Sequence, residues 1–359
     1  MKKVLILTNH SFMLWQFRRE LIGEMLRQGM TVTVGTPFGD HVADFETMGC
    51  RMIDTPLERR GINPLRDLSL LMQYRKILKE EKPDMVITYS IKPNIYGGAV
   101  CRLMGIPYCA NVQGLGTAFQ KPAIAALVTA MYRFALKKAK AVFFENHANA
   151  REFCDRRITP ESRQVVLRGA GVNLEYHSCQ PYPAEEPTRF LYLGRLMREK
   201  GIDELLYAAE RLARENAEFS LDLVGFYEDS YADRVKALEQ AGIARFHGFQ
   251  PEARPYYANA HCIILPSYHE GMSNVLLEAA AAGRPLITSD IPGCREAVTD
   301  GSGLLCQVRS GESLYERMKG FLQMTFSQRE EMGKKGRLHM EQNFSREQIV
   351  AQTLDAVWK

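Results

Sequence analysis

The hydrophobic pattern changes period repeatedly along the chain. Val4 to Thr8 (V-L-I-L-T) is a continuous apolar run, the pattern of a parallel strand buried on both faces. From Phe17 to Gln28 the period becomes helical, with Phe17, Leu21, Met25 and Leu26 on one side and Gly29 as the stop. Thr31 to Val34 is a second strand. Leu65 to Glu81 is a helix closed by Pro83, and Met85 to Thr88 a further strand. Gly97 to Met104 predicts a short helix ending at Gly105, and Tyr108 to Val112 a strand. Ala123 to Lys138 reads as a helix, Ala141 to Phe144 as a strand. Strands alternating with helices of ~10–15 residues predict a parallel sheet of α/β class.

The rhythm restarts after Ser178. Residues 179–187 carry three prolines and two glutamates, a linker composition. Phe190 to Leu193, Ser220 to Val224, His261 to Leu265 and Leu286 to Thr288 then read as strands separated by helices. The 359 residues suit two domains of roughly 170 residues each. We therefore expect a first domain over 1–178 and a second over 188–344. A terminal helix over 345–359 is expected to pack back on the first domain.

Composition narrows the class. Apolar residues at 46% and charged residues at 25% are those of an ordinary globular protein. No apolar run approaches the ~18 residues of a spanning helix. The apolar stretch after Met1-Lys2-Lys3 is too short for a signal peptide and lacks a small-residue cleavage site, so the expectation is a cytoplasmic protein. The cysteines are scattered without a C-x-x-C pair, and His261 and His269 bring no matching ligands, so no metal site is expected. The net charge of +4 hides an asymmetry. Residues 1–180 hold 25 Lys and Arg against 16 Asp and Glu, a balance of +9; the rest hold 21 against 26, a balance of −5. A basic first half implies an anionic partner.

Two segments carry chemistry. Pro266 to Gly283 (P-S-Y-H-E-G-M-S-N-V-L-L-E-A-A-A-A-G) follows an apolar strand and sets Glu270 and Glu278 eight positions apart. Gly271 to Ser273 can form a tight loop, and Ser273 or Asn274 can cap a helix running to Gly283. Such a helix start offers unpaired N–H groups and a positive dipole end to an anion. One carboxylate could reach a sugar and the other a ribose. On spacing alone, an amphipathic helix with two solvated acids is an equal reading. Leu193 to Gly201 (L-G-R-L-M-R-E-K-G) leaves another strand and places Arg195 and Lys200 on one loop. A guanidinium fork and an ammonium suit a diphosphate leaving group; a solvent-exposed basic turn is the alternative.

Together these segments resemble the group 1 (family 4) retaining glycosyltransferases of GT-B fold, whose signatures are a G-R-x-x-x-x-K-G loop and an E-x7-E element. The resemblance implies two Rossmann-like domains with parallel sheets facing across a cleft. It implies that Arg195 and Lys200 hold the donor pyrophosphate, that Glu270 contacts the donor sugar, and that Glu278 contacts the ribose. Backbone around Gly271, Met272, Ser273 and Asn274, with Gly194, would support the leaving phosphate. Phe249, in F-H-G-F-Q, could stack near the base, although packing alone accounts for an aromatic there. No metal or other cofactor is implied, since protein cations would take that place.

The first half is similar to a narrower subgroup. Thr88 to Gly98 (T-Y-S-I-K-P-N-I-Y-G-G), Asn111 to Phe119 (N-V-Q-G-L-G-T-A-F) and Arg168 to Glu175 (R-G-A-G-V-N-L-E) resemble bacterial transferases that build capsule, O-antigen or N-glycan precursors on undecaprenyl diphosphate. That implies a UDP-sugar donor, UDP-N-acetylgalactosamine among them, and a lipid-linked saccharide acceptor. The first strand-to-helix loop reads Asn9-His10-Ser11 where many relatives have a glycine pair, so it is assigned to the acceptor side. Lys92 and Asn94 follow a strand end, where ligands of open sheets gather. Gln113 and Gly114 stand where many relatives carry a histidine. Glutamine can bond a hydroxyl but cannot act as an acid or base.

Residues Lys121 to Lys140 combine apolar Ile124, Leu127, Val128, Met131, Phe134 and Ala135 with Arg133, Lys137, Lys138 and Lys140. With Arg59, Arg60 and Arg66 they predict peripheral docking on the anionic inner face of the plasma membrane. A core helix with a basic C-terminal cap reads equally from this pattern. A sugar-nucleotide epimerase would need a base and an acid on the sugar, and Glu270 alone does not supply both. A non-catalytic anion-binding or nucleic-acid protein lacks stacking platforms and any nucleic-acid motif, so no nucleic-acid partner is expected. A nicotinamide dehydrogenase would need G-x-G-x-x-G after a first strand, which neither half has.

Overall fold

The computed structural model describes residues 2–57, 64–115, 119, 122–184 and 187–359. It divides into two compact units, Met1–Ala170 with Glu347–Lys359, and Gly171–Arg346.

Unit 1 holds a seven-stranded sheet, all parallel, in the order β3-β2-β1-β4-β5-β6-β7. The strands are β1 (Lys3–Leu7), β2 (Thr31–Thr36), β3 (Arg51–Asp54), β4 (Met85–Tyr89), β5 (Tyr108–Val112), β6 (Ala141–Phe144) and β7 (Gln164–Val166). Alternate residues of one strand feed opposite cores, which is why the runs are apolar without a break. Leu5, Leu7, Val86, Ala110 and Val142 pack with Tyr74, Tyr132 and Phe153. Val4, Ile6, Val32, Ile87 and Cys109 pack with Leu21, Ile22 and Met25 of helix α1 (Ser11–Arg27). That second face is completed by Ile349, Val350, Leu354 and Val357 of the last helix, Arg346–Trp358.

Unit 2 holds a six-stranded parallel sheet in the order β10-β9-β8-β11-β12-β13. Its strands are β8 (Thr188–Leu193), β9 (Phe219–Val224), β10 (Ala244–Phe246), β11 (Cys262–Leu265), β12 (Leu286–Ser289) and β13 (Gly303–Cys306). One core spans both faces, from Leu205 and Leu206 on one helix to Leu276, Leu277 and Ala280 on another. In each sheet the strand order reverses beside the first strand, at β1/β4 and at β8/β11. Loops leaving the carboxyl ends there diverge and leave room for a ligand.

Several expectations shift. The boundary lies at Ala170–Gly171 rather than at 178, and the proline-bearing segment belongs to unit 2. It is tied down: Gln180 N–H donates to Ala282 O, Arg284 donates to the carbonyls of Gln180 and Pro181, and buried Tyr182 donates to His261 O. Val172 is bracketed by bonds to Phe344 and Arg346. Proline content gave linker composition, but Tyr182 anchors the strap. Helix α1 starts at Ser11, six residues earlier than the stripe from Phe17 indicated, because buried Leu14 extends the same face. A π-helical turn, Pro93–Gly97, precedes the helix Gly98–Met104.

The basic helix expected over Ala123 to Lys138 is Pro122–Ala135, and four of its six apolar residues face the core: Val128 and Ala135 are buried, Ile124 and Met131 pack against it half-buried, while Leu127 and Phe134 are exposed. Arg133 donates to Arg156 O, and Lys140 to Val357 O at 3.0 Å, so neither is a free surface charge. Arg102 lies over the Phe134 ring, 4.2 Å from its centroid. Arg59, Arg60 and Lys121 lie outside the described residues; Arg66 is exposed. Among the described residues no helix is long and apolar enough to cross a membrane.

Candidate active site

The chemistry of unit 2 gathers where its strand order reverses. The loop after β8 runs through Gly194, Arg195 and Lys200; the loop after β11 runs from Pro266 to Ser273. Two features clamp them together. Gly201 has φ +74°, and a Cβ there would lie 2.1 Å from the carbonyl oxygen of Pro266, so no other residue fits. Beside it, Tyr268 N–H donates to Glu199 O at 2.8 Å. This contact sets Lys200 Nζ 2.5 Å from Glu270 Oε1, with Ser267 Oγ donating to the same oxygen at 2.7 Å. The ammonium and the carboxylate are 20% and 12% exposed, so their interaction is only partly screened.

Arg195 is held differently. Its Nη1 donates to Glu228 Oε2 at 2.5 Å, and its own carbonyl accepts from buried Tyr192 Oη at 2.6 Å. Burial drives the Tyr192 phenol well above its ordinary pKa, so it stays a donor. Glu228 reaches Arg195 because the loops after β8 and β9 run side by side, with Leu196 N–H donating to Phe226 O and Glu228 N–H to Leu196 O. Gly225, at φ +146°, allows that approach: a Cβ there would fall 1.8 Å from Gly194 O. The Glu270 loop is braced from a third side. A Cβ on Gly293 would meet Gly271 O at 2.5 Å, and Ser273 N–H donates to Gly293 O.

Helix α2 spans Asn274–Ala281, with Ala282 closing it and Gly283 beyond at φ +79°. Ser273 takes the N-cap position with extended backbone, but neither it nor Asn274 supplies the expected side-chain cap. Asn274 Oδ1 is buried without a partner among the described residues, and Met272 is core. Glu278 is buried inside this helix rather than solvated, which removes the amphipathic alternative. Burial pushes its carboxyl up to about 7, opposed by the Tyr257 hydroxyl that donates to it at 3.0 Å and by the charge of Arg346. Phe249 is exposed, its ring 6.5 Å from that of Phe226. A hollow of ≈260 Å³ lined by Tyr176, Arg254 and Tyr257 adjoins Glu278 through Tyr257; none of the anticipated site residues lines it.

In unit 1 the corresponding place holds two hollows. One, of ≈200 Å³, is lined by Thr8, Asn9, His10, Met13, Leu14, Arg18, Tyr89, Ser90 and Gln113. The other, of ≈250 Å³, is lined by residues including Lys92, Asn94, Gln113 and Gly114. Five of the six residues assigned to the acceptor side thus converge. Ser11 does not: it is the buried first residue of α1 and lines neither hollow. Asn94 is structural as well, accepting from Thr88 Oγ1 at 2.6 Å and donating to Asn111 O at 2.8 Å. Lys92 donates to Asp67 Oδ1 at 3.0 Å.

Glu228, Asp67, Arg18, Glu145, Tyr89 and the brace Gly293 were not singled out from the sequence. Tyr89 lies inside the Thr88 to Gly98 segment but carries no chemistry that the segment alone reveals; the others act through partners distant along the chain and stand in no local motif. Among the described residues no group of three or more His, Cys, Asp or Glu could hold a metal ion.

Residues 180–339 match the family model described as Glycosyl transferases group 1, and residues 3–146 match Glycosyl transferase 4-like. The chain is 24% identical over 329 residues to the N,N'-diacetylbacillosaminyl-diphospho-undecaprenol alpha-1,3-N-acetylgalactosaminyltransferase of Campylobacter jejuni, covering 86% of each. It is 24% identical over 280 residues to the UDP-Gal:alpha-D-GlcNAc-diphosphoundecaprenol alpha-1,3-galactosyltransferase of Escherichia coli, covering 72% of this chain and 70% of that one. Anabaena HepE, solved in complex with UDP and glucose, superposes with a TM-score of 0.79 at 16% identity, covering 100% of both chains.

Proposed function

Since this chain belongs to the group 1 glycosyltransferases and has the GT-B class of fold, we propose that it moves a hexose or N-acetylhexosamine from a UDP-sugar to a polyprenyl-diphosphate-linked saccharide, with retention, in cell-surface glycan assembly. The observation that carries this reading is the Lys200–Glu270 pair at the strand reversal of unit 2, flanked by Arg195 and by the start of the helix Asn274–Ala281. The names of the Campylobacter and Escherichia relatives, both acting on undecaprenol-linked saccharides, support the acceptor class. The HepE complex supports UDP as the nucleotide.

The chemistry follows from charge. As the acceptor hydroxyl oxygen bonds to the anomeric carbon, the bond from that carbon to the diphosphate breaks on the same face. A phosphate oxygen takes the hydroxyl proton. Negative charge grows on the diphosphate, and Arg195, Lys200 and the backbone around Gly271, Met272 and Asn274 would stabilise it, with Gly194 allowing close approach; the Ser273 N–H is spent on Gly293 O and braces that backbone instead. Lys200 leaves Glu270 for the diphosphate, freeing that carboxylate for sugar hydroxyls; Glu228 keeps Arg195 extended. Glu278 takes the ribose hydroxyls. The acceptor engages His10, Lys92, Asn94, Gln113 and Gly114. Protein cations fill the place of a divalent metal.

Exposed Leu103, Leu127 and Phe134, with Arg102, Lys137 and Lys138, supply an apolar and basic surface on unit 1. We assign it to peripheral docking on an anionic bilayer, where a lipid-linked acceptor would be met.

The test is turnover of UDP-sugars with a lipid-diphosphate saccharide, with and without chelator. Activity unchanged by chelator, with net retention, is expected. Strict dependence on added manganese or magnesium would overturn the protein-cation mechanism. Conversion of UDP-sugar without acceptor would favour an epimerase.

A further inference from the structure

We infer that the ≈200 Å³ hollow of unit 1 is a subsite for one uncharged sugar ring of the acceptor, read by Tyr89 and Gln113 and kept electrically neutral by an internal Arg18–Glu145 pair. This rests on the acceptor-side reading above and narrows it to a chemical class.

The walls decide the class. Arg18 is buried, and its guanidinium is consumed inside the protein: Nη2 donates to Glu145 Oε1 at 3.2 Å and Nη1 to Phe17 O at 3.0 Å. In the adjoining hollow Lys92 is answered by Asp67, with side chains 16% and 8% exposed. Each cation therefore carries its own counter-charge. A carboxylate or phosphate entering here would be desolvated without gaining an unspent guanidinium or ammonium, with the His10 imidazole the one other basic group of this wall, which costs binding. A neutral polyol loses far less, because the remaining polar lining, beside the His10 imidazole, is hydroxyl and amide: Thr8, Asn9, Ser90 and Gln113. Met13 and Leu14 supply an apolar wall for the C–H face of a ring.

An independent observation points to a ligand. Tyr89 lines this hollow, is 2% exposed, and its hydroxyl has no hydrogen-bond partner among the described residues. The Arg18 guanidinium lies over the Tyr89 ring, 5.5 Å from its centroid, which fixes the ring. Buried hydroxyls are rarely left unpaired, and a sugar hydroxyl supplies both a donor and an acceptor. Asn9, Ser90 and Gln113 line both hollows, so one saccharide can bridge them. The subsite thus selects for neutral sugars at the growing end of the acceptor, while its diphosphate is read elsewhere.

The experiment uses the full chain with UDP present and probes it with methyl glucoside, methyl galactoside, their N-acetylamino counterparts and methyl glucuronide, by saturation-transfer and protein-observed NMR. At least one neutral glycoside is expected to bind about tenfold more tightly than the glucuronide and to perturb Tyr89 and Gln113. Tyr89→Phe should weaken that binding about threefold or more with an unchanged unfolding midpoint. Glu145→Gln, which keeps the hydrogen bond but removes the counter-charge, should shift preference toward the glucuronide. Glucuronide binding as tight as every neutral probe, unchanged preference in Glu145→Gln, or perturbation confined to other residues would each overturn the proposal. The acceptor-side reading is checked separately. If Gln113→Ala raises KM for the lipid-linked acceptor while UDP affinity holds, that reading stands even where the sugar class is wrong. If KM does not move, both fall.

Discussion

In unit 2 the loops leaving β8 and β11 meet through Lys200 and Glu270, 2.5 Å apart, over a backbone where Gly194, Gly201, Gly225 and Gly293 adopt conformations or contacts closed to other residues. In unit 1 the loops leaving β1 and β4 meet through Asn9 and Ser90, with Ser90 Oγ donating to Asn9 Oδ1 at 2.8 Å, and it is a serine, at φ +74°, that takes the unusual backbone conformation. The sheets share one strand order around these points, yet one set of loops brings backbone N–H groups and mobile charge to a ligand, and the other brings side-chain hydroxyls and amides. Topology selects the place. The side chains, and the glycines that let the main chain come close, select what can be bound there.

The largest effect expected is on turnover. Lys200→Ala and Glu270→Ala should each lower kcat by at least ~100-fold with the fold intact, the scale of one lost preorganised charge contact. Lys92→Ala in unit 1 should act mainly on the acceptor KM and on stability, because it strands the buried Asp67. An equal collapse of kcat there, with circular dichroism unchanged, would erase the distinction between the two sites.

The backbone side of the contrast is tested by exchanging glycine for a side chain. Gly225→Ala must either move Gly194 O or unfold the loop, and a cost of ~2 kcal/mol or more in urea unfolding is expected. Ser90→Gly removes strain and one hydrogen bond together, so its change should stay within ~1 kcal/mol. A tolerant Gly225→Ala would show that the close approach of the two loops is not needed.

Buried Glu278 gives a pH signature to unit 2. Its pKa of about 7 lies above the unfolded value of ~4.3, so the native state binds this proton more tightly. The wild type is favoured below pH ~4.5 and loses stability as pH rises through about 7. Glu278→Gln should remove that loss, leaving the variant more stable than the wild type at pH 8 by on the order of 2 kcal/mol, with weaker UDP binding. Coincident pH–stability curves for the two proteins would place the carboxyl in a more solvated setting.

The smallest effect concerns the surface of unit 1. Charge reversal at Lys137 and Lys138 should weaken binding to anionic vesicles by ~1 kcal/mol for each residue, less as salt rises. Arg133→Glu should do less than either, since its guanidinium is engaged by Arg156 O. Equal binding to neutral and anionic vesicles, measured by co-sedimentation, would remove docking from the proposal.

Most of the fold was legible from period alone. The central strands β1, β4, β5, β8 and β11 are continuous apolar runs because both faces are covered. The edges were not legible. Arg51–Asp54 and Ala244–Phe246 are short and half-solvated, and carry no run. In the site, Arg195, Lys200, Glu270 and Glu278 stood out because a strand end and a glycine frame them locally. Glu228 and the Arg18–Glu145 pair did not, since pairing across 33 and 127 positions is invisible until the sheet brings the loops together. The strap at 171–184 shows composition misleading outright: the prolines suggested slack chain, while Tyr182 and the carbonyls bound by Arg284 pin it to unit 2.

The helix Arg346–Trp358 has a consequence for how this protein comes into being. Ile349, Val350, Leu354 and Val357 seal the face formed by Val4, Ile6 and Leu14, but they are translated only after all of Gly171–Arg346. At ribosomal speeds of ~5–20 residues per second, the first unit waits roughly 10–35 s with that face uncovered. Unit 2 is contiguous and its chain is complete at Arg346, about 1–3 s before the last helix has been made at the same speeds. The half that emerges first is thus the half that matures last, and during synthesis its unsealed apolar face is where a chaperone would be expected to bind.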